Sequence, residues 1–345
     1  MADSDMRSWT KVALGALAGA AGVAYAKAVV ARNRALDRPA MRDVEGEPFP
    51  IDAVTLSDGE VVEYVDVGEG EALVWIPGAD GPKETYQYQI PHFARRYRVI
   101  AADMRSGIGP EDDFDRLVDD VIELMDHLGV ERFVAIGQSL GSAVALRLAM
   151  RFPDRVAGLV LANPVARVSY EHLGLNRTSL IPLARTTTRY LPTPLSRALA
   201  RTAWSPLSVW IYDASPGSEA LIDYALYTGP RTTSPRVSGD RVDLLKGHDL
   251  TEELWDVRVP ALVVKGPHDV YCPVSWALEI ADGLPNATYI PIPGTGHCSH
   301  ISRPGAFNQA VESWLEKLLP AARAEGALPP GPPDESPGEP DGGIE

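Results

Sequence analysis

The sequence predicts an α/β protein built around a mostly parallel sheet. Between about Phe49 and Pro320, short β-branched runs alternate with amphipathic helical stretches, which is typical of βαβ units. Several of the runs, such as 73–76, are almost continuously apolar, as expected for strands that helices cover on both faces. Hydrophobic residues make up 45% and charged residues 23% of the 345 residues. This composition supplies a core and excludes a disordered, collagen-like or polytopic membrane protein.

Taken in order, the runs predict eight strands and several helices. The strands are Ile51–Thr55, Glu60–Val67, Ala72–Ile76, Arg98–Ala102, Phe133–Ile136, Gly158–Ala162, Ala261–Val264 and Ala287–Ile292. Apolar residues at helical spacing predict a helix over Phe114–Leu128, which Gly129 ends, and another over Leu140–Phe152. A last helix begins near Pro304.

The alternation breaks between the sixth and seventh strands. The segment 164–255 contains no convincing strand, but it has helix-compatible stretches and an aromatic character. We therefore predict a helical cap at 164–255, inserted between the two parts of an α/β core at 46–163 and 256–322. Such an insertion would lie over the strand ends, where α/β sheets bind ligands.

Charge and cysteine content exclude further classes of protein. The formal net charge is −15, whereas a phosphate backbone attracts basic surfaces, so we expect no nucleic-acid partner. The two cysteines, Cys272 and Cys298, allow at most one disulfide bond. We interpret them as buried thiols and predict no metal site.

The first motif with chemical content is Gly137-Gln138-Ser139-Leu140-Gly141, which follows an apolar strand and opens a helix. In a G-x-S-x-G motif the serine lies in a tight strand-to-helix turn, and the crowding there requires glycine on both sides. The turn lifts the hydroxyl above the sheet, near a helix N-terminus that favours a developing anion. In this context the motif predicts a nucleophile elbow with Ser139 as the nucleophile.

With this motif, the chain resembles the capped serine-hydrolase branch of the α/β-hydrolase fold, which includes esterases, lipases and lactonases. The resemblance covers about Pro50–Leu319 apart from the insertion. It implies an eight-stranded, mostly parallel sheet flanked by helices and a catalytic triad in the order nucleophile, acid, histidine. It implies no cofactor.

The resemblance also assigns the other two triad positions. The segment Lys265-Gly266-Pro267-His268-Asp269 is similar to the family's strand–Gly-x-x-Asp segment, which makes Asp269 the acid. The loop Gly294-Thr295-Gly296-His297 is similar to the family's Gly-His loop, which makes His297 the base. His300 is the rival, and the glycine directly before His297 decides against it.

An acyl-transfer reaction also needs donors for the tetrahedral oxyanion. The residue after the nucleophile supplies one N–H group, here that of Leu140. By resemblance, the N–H of Ala79 in the loop after the third strand is the second donor of the oxyanion hole. The chain departs from the commoner pattern at this loop, because it has Pro77-Gly78 where relatives have His-Gly.

These residues predict a serine hydrolase that cleaves a carboxylic ester or a related acyl compound through an acyl-enzyme. The aromatic content of the predicted cap favours a small-molecule substrate with an apolar part. Acyl transfer, haloperoxidation and carbon–carbon hydrolysis remain open, because fold does not determine reaction. The alternative from another class is a non-catalytic, hydrolase-like binding or scaffold protein.

Both ends of the chain depart from globular composition. The segment 1–45 contains the run Val12–Ala31, which is long enough to span a bilayer but only weakly apolar. A transmembrane anchor, a cleaved signal peptide and a helix lying on a surface all fit it. More basic residues follow the run than precede it, which favours a membrane-anchored protein with a cytoplasmic catalytic domain over a secreted or cytoplasmic one. Residues 323–345 are rich in proline, glycine and acidic residues, and we predict a disordered tail there.

Overall fold

The computed structural model of the protein describes residues 42, 46–79, 81–109, 112–168, 235–269 and 271–324. The run 12–31, residues 169–234 of the predicted cap and the predicted tail from residue 325 onward lie outside the described residues. Within the described part of the cap are one helix, one 3-10 turn and an isolated bridge between Arg167 and Asp249. The domain bounds therefore stay a prediction.

The described residues form one eight-stranded sheet, which confirms the predicted fold class. The strands are β1 Asp52–Thr55, β2 Val61–Val67, β3 Ala72–Ile76, β4 Arg98–Ala102, β5 Phe133–Gln138, β6 Val156–Ala162, β7 Ala261–Lys265 and β8 Ala287–Pro291. Their order across the sheet is β1-β2-β4-β3-β5-β6-β7-β8. Strand β2 runs antiparallel to both of its neighbours, and the pairs from β4 to β8 are parallel.

Helices cover both faces of this sheet. They are α1 Ile90–Phe93, α2 Phe114–His127, α3 Leu140–Arg151, α4 Pro235–Leu244, α5 Val274–Gly283, α6 Ser299–Ser302 and α7 Pro304–Ala324. Short 3-10 turns occupy Lys83–Tyr86 and Leu254–Asp256.

Strand β3 shows how the sheet separates two apolar layers. All five of its residues are buried, and successive side chains point to opposite faces. Val74 and Ile76 pack in the layer that contains α2, α3 and α5, whereas Leu73 and Trp75 pack in the layer that contains α1 and α7. This burial on both faces is the reason that the central strands read as continuous apolar runs.

The predicted bounds match the observed ones for β3 and β4 and differ from them by one or two residues for the other six strands. The largest differences are at β5, which continues to Gln138, and at β6, which begins at Val156. Gly137 and Gln138 pair with Leu161 and Ala162 of β6, so the ladder continues up to the residue before Ser139. Because Gln138 is polar, the pattern of apolar residues did not predict this continuation of β5.

The membrane-anchored localisation predicted from the sequence is corrected by the structure. In the part of the chain that the structure describes, no helix combines the length and the hydropathy needed to cross a bilayer. The run 12–31, on which that prediction rests, lies outside the described residues.

Candidate active site

The predicted site residues meet at the carboxyl edge of the sheet. Strands β5, β6, β7 and β8 are neighbours and parallel, so the loops that follow them leave from the same edge. Ser139 follows β5, Asn163 follows β6, Asp269 lies four residues after the end of β7, and His297 lies in the loop after β8. The strand order therefore brings together residues that are far apart in the chain.

The turn at Ser139 has the strained geometry that the motif predicts. Ser139 adopts φ 53° and ψ −120°, a region that residues other than glycine rarely occupy. Its backbone N–H donates to the carbonyl oxygen of Ala162 at 3.0 Å, which ties the turn to β6. A Cβ at Gly137 would lie 2.6 Å from the backbone nitrogen of Ser142, and a Cβ at Gly141 would lie 2.5 Å from the carbonyl oxygen of Pro77. Both glycines are therefore required by contacts with backbone atoms.

Asp269 lies in a pocket of hydrogen-bond donors. Its side chain is fully buried. Oδ1 accepts hydrogen bonds from the backbone N–H groups of Tyr271 at 2.9 Å and Cys272 at 3.0 Å. Among the described residues, three nitrogens contact Oδ2: Asn163 Nδ2 at 3.0 Å, His297 Nδ1 at 2.9 Å, and Lys265 Nζ. Burial by itself would raise the pKa of Asp269, but the charges and hydrogen bonds of His297 and then Lys265 hold it well below its ordinary value.

The ring of His297 is oriented by the same carboxylate. Nδ1 donates to Asp269 Oδ2, which leaves Nε2 as the nitrogen that can take a proton. The thiol of Cys272 contacts the imidazole, and the ring of Tyr271 packs against it with centroids 5.2 Å apart. Burial by itself would lower the pKa of His297, but the charge of Asp269 raises it above its ordinary value. The imidazolium that a general base must form is thus stabilised in place.

Two amide side chains hold the histidine loop against the rest of the site. Gln138 Nε2 donates to the carbonyl oxygen of His297 at 3.2 Å, so the residue before Ser139 is connected directly to the histidine. Asn163 Nδ2 donates to the carbonyl oxygen of Gly296 at 2.8 Å as well as to Asp269. Asn163 Oδ1 accepts from the hydroxyl of Ser299 at 2.7 Å. Asn163, at φ 48°, therefore joins three loops through one buried side chain.

His300, the rival histidine, has different surroundings. Its Nε2 lies 3.2 Å from the hydroxyl of Thr85, and its ring packs near Tyr86 and Phe307. Burial, and then the charge of His297, lower the pKa of His300 to about 3. Of the two candidate histidines, His297 is the one that contacts Asp269.

The loop after β3 passes beside the turn at Ser139. A Cβ at Gly78 would collide with Gln138 Oε1 and would lie 3.3 Å from Ser139 Cβ, so a larger residue there would displace the side chain of Gln138. The carbonyl of Gly78 accepts from the N–H of Gly81 at 2.9 Å. Because the carbonyl and the N–H of a trans peptide point in opposite directions, this bond turns the N–H of Ala79 away from Gly81. Leu140 is the first residue of α3 and is buried.

Arg241 of α4 secures this loop from the side of the predicted cap. Its side chain is buried, and Nη1 donates to the carbonyl oxygen of Ala79 at 3.0 Å. Nη2 donates to the carbonyl oxygens of Met104 and Arg105, each at 2.6 Å, in the loop after β4. One guanidinium thus connects the loop of the second predicted oxyanion donor to the neighbouring loop and to α4.

Three side chains of this site are of types that can ligate a metal ion. Asp269, Cys272 and His297 each offer one ligand atom, and these atoms lie within 4.8 Å of one another. The ammonium of Lys265 already contacts the carboxylate, and its positive charge would oppose a divalent cation at the same oxygen. These residues therefore do not fit a cation site well. Neither Cys272 nor Cys298 forms a disulfide bond.

Four residues of this site were not assigned a role from the sequence: Gln138, Asn163, Arg241 and Lys265. Lys265 gave the clearest signal, because a charged residue directly follows the apolar run 261–264 and such a residue needs a buried partner. Asn163 directly follows the apolar run of β6, where the sequence has an amide and no carboxylate. Arg241 gave no signal, because its contacts depend on the packing of α4.

Comparison with known proteins relates the chain to hydrolases. Residues 73–310 match the sequence model of the α/β hydrolase family. The chain is 25% identical over 270 residues to 2-hydroxy-6-oxo-6-phenylhexa-2,4-dienoate hydrolase of Comamonas testosteroni. This match covers 74% of the chain and 92% of the relative. The chain is also 25% identical over 275 residues to 3-oxoadipate enol-lactonase 2 of Acinetobacter baylyi. This second match covers 77% of the chain and 97% of the relative. A thermophilic esterase from Thermogutta terrifontis has a similar fold, with a TM-score of 0.64, 21% identity and coverage of 78% of this chain and 99% of the esterase.

Proposed function

The chain belongs to the α/β hydrolase family, and we propose that it is a serine hydrolase that cleaves a carboxylic ester or a related acyl compound. Ser139 is the nucleophile, His297 the general base and acid, and Asp269 the residue that orients and stabilises the imidazole. The backbone N–H groups of Leu140 and Ala79 form the oxyanion hole.

The hydrogen bond of 2.9 Å between His297 Nδ1 and Asp269 Oδ2 carries this proposal. It is supported by the strained backbone of Ser139 and by the link from Gln138 to the carbonyl of His297. A buried carboxylate that holds a buried imidazole, in a loop bonded to the residue before a strained serine, has no evident use in a binding protein, since strain persists only where the surrounding structure enforces it.

The reaction follows from these positions. As Ser139 Oγ attacks the substrate carbonyl, its proton passes to His297 Nε2, and the carbonyl electrons move onto an oxygen that the two N–H groups stabilise. The imidazolium then protonates the departing alcohol, and the acyl group stays on Ser139. A water molecule gives its proton to His297 and attacks the acyl carbon, which releases the carboxylic acid and restores the serine.

The proposed substrate is a small-molecule ester with an apolar acyl or alcohol part. This proposal rests on the aromatic composition of the segment 164–255, which we propose to be a cap over the site. Relatives named as hydrolases and as an enol-lactonase make lactones a second form of the same ester chemistry.

Labelling with a fluorophosphonate tests the proposal. We expect the full chain to be labelled on Ser139, Ser139→Ala to abolish labelling, and Ser57→Ala, a matched change at an exposed serine, to leave it unchanged. Hydrolysis of p-nitrophenyl esters of graded acyl length would then define the substrate. A folded wild-type protein that is neither labelled nor active on any of these esters would instead be the non-catalytic binding protein.

A second candidate reaction is hydrolysis of a dienoate of the kind named for the relative from Comamonas testosteroni. The same nucleophile, base and oxyanion donors would serve it. Incubation with 2-hydroxy-6-oxo-6-phenylhexa-2,4-dienoate, followed by its absorbance, distinguishes the two: turnover that exceeds that of every p-nitrophenyl ester favours the second reaction.

A further inference from the structure

A buried ammonium group stands at the centre of the proposed triad. Lys265 is the last residue of β7, and its side chain is fully buried. Its Nζ contacts Asp269 Oδ2 and donates to the carbonyl oxygen of Cys272 at 2.5 Å. A buried charge needs a compensating partner, and here that partner is the oxygen that also accepts from His297 Nδ1. One carboxylate oxygen is therefore shared by an ammonium group and by the base.

We propose that Lys265 is a positioning residue that lowers the proton affinity of His297 by sharing Asp269 Oδ2 with it. This inference rests on the proposed function, because it concerns the base of the same reaction. With the imidazole neutral, the charges of Lys265 and Asp269 cancel. Protonation of His297 then adds an uncompensated positive charge to the cluster, whereas without Lys265 it would complete an ion pair with Asp269.

The distances make this effect large enough to measure. Lys265 Nζ and His297 Nδ1 contact the same oxygen, so two hydrogen-bond lengths separate them by at most about 5 Å. A unit charge at that separation in a buried site changes a neighbouring proton affinity by about one pH unit or more. The other titratable groups described around His297 are Asp269, Cys272, Tyr271 and His300. None of these is a cation at neutral pH, whereas the ammonium of Lys265 places a positive charge against the oxygen that His297 contacts.

This arrangement serves both halves of the reaction. A base must be neutral to take the proton of Ser139, and Asp269 alone would favour the protonated form of a buried imidazole. The opposing charge of Lys265 offsets part of this preference, so that the imidazole is neutral over a wider pH range than with Asp269 alone and the imidazolium is a stronger acid toward the leaving group.

The test measures the second-order rate of fluorophosphonate labelling against pH for the wild type, Lys265→Met and Lys265→Gln. The fall of the labelling rate on the acid side of this pH profile, its acid limb, reports the protonation of His297. We expect both variants to move this limb to higher pH by about one unit, which lowers the rate at pH values below the limb about tenfold. The rate on the alkaline plateau should change less. Lys83→Met is the matched control, because Lys83 is equally buried but pairs with Glu63 and Asp103 instead of Asp269, and its limb should stay in place.

The glutamine variant separates charge from structure, because it keeps a neutral donor near Asp269. An unmoved limb in a folded Lys265→Gln variant, or a limb that moves only in Lys265→Met, would overturn the inference. If Lys265→Met does not fold, the glutamine variant decides alone. Failure of the proposed function is distinguishable, since the wild type would then not be labelled on Ser139 at any pH.

Discussion

Replacing Gly141 with alanine would force a side chain into the contact between the first turn of α3 and the end of β3. The new Cβ would lie 2.5 Å from the carbonyl oxygen of Pro77 and closer still to that of Ile76. Both atoms belong to the backbone, so no flexible side chain can move aside. The elbow and the loop after β3 must therefore separate.

The size of this movement follows from the contact distances. Ordinary van der Waals contact begins at 3.4 Å, so the two segments must move apart by about 1 Å. The first turn of α3 carries the N–H of Leu140, and the loop carries the N–H of Ala79, so the movement separates the two proposed oxyanion donors. Loss of one such donor costs about 2.7–4 kcal/mol of transition-state stabilisation, and we expect kcat to fall about 100- to 1000-fold with a smaller change in KM.

The assay is hydrolysis of the best p-nitrophenyl ester, with kcat and KM determined separately and urea unfolding measured on the same preparations. Gly305→Ala is the matched control, because nothing lies within 4 Å of the added Cβ and the residue is in the first turn of α7. It should leave kcat unchanged. A folded Gly141→Ala variant that keeps more than about a tenth of the wild-type kcat would refute the oxyanion-hole argument.

Two further predictions concern buried charges. Arg241→Met removes a guanidinium that holds three backbone carbonyls. The free energy of unfolding should therefore fall by about 2–4 kcal/mol, and kcat should fall about tenfold. Equal losses in Arg236→Met, a change at an exposed residue of the same helix, would contradict this prediction. Burial holds the pKa of His300 at about 3, below its unfolded value, so protonation of the unfolded chain destabilises the fold as pH falls below about 6.5. Between pH 7 and pH 4 this destabilisation is on the order of 3 kcal/mol, and urea unfolding should show it in the wild type but not in His300→Gln. An equal loss of unfolding free energy in both proteins would count against this role of His300.

The sequence predicted the sheet and the turn at Ser139 because both depend on local patterns. A strand buried on both faces must be apolar throughout, and β3 and β4 were therefore predicted with their observed bounds. The glycines at 137 and 141 mark a turn whose crowding involves neighbours close in the chain or in the adjacent strand. The assignment of Asp269 and His297 came from resemblance, and their roles stay a proposal.

The contacts around Asp269 required the tertiary structure. Asn163 and His297 contact Asp269 because β6 and β8 lie on either side of β7, and strand order is not written in any local pattern. A lysine after an apolar run shows that a buried charge needs a partner, but it does not show that the partner is shared with a histidine. The sequence by itself determined which segments form the scaffold and where a serine is strained, because periodicity and steric crowding act between near neighbours. Only the folded chain decided which charges share an oxygen, since electrostatic coupling depends on distances of a few ångströms between residues far apart in sequence.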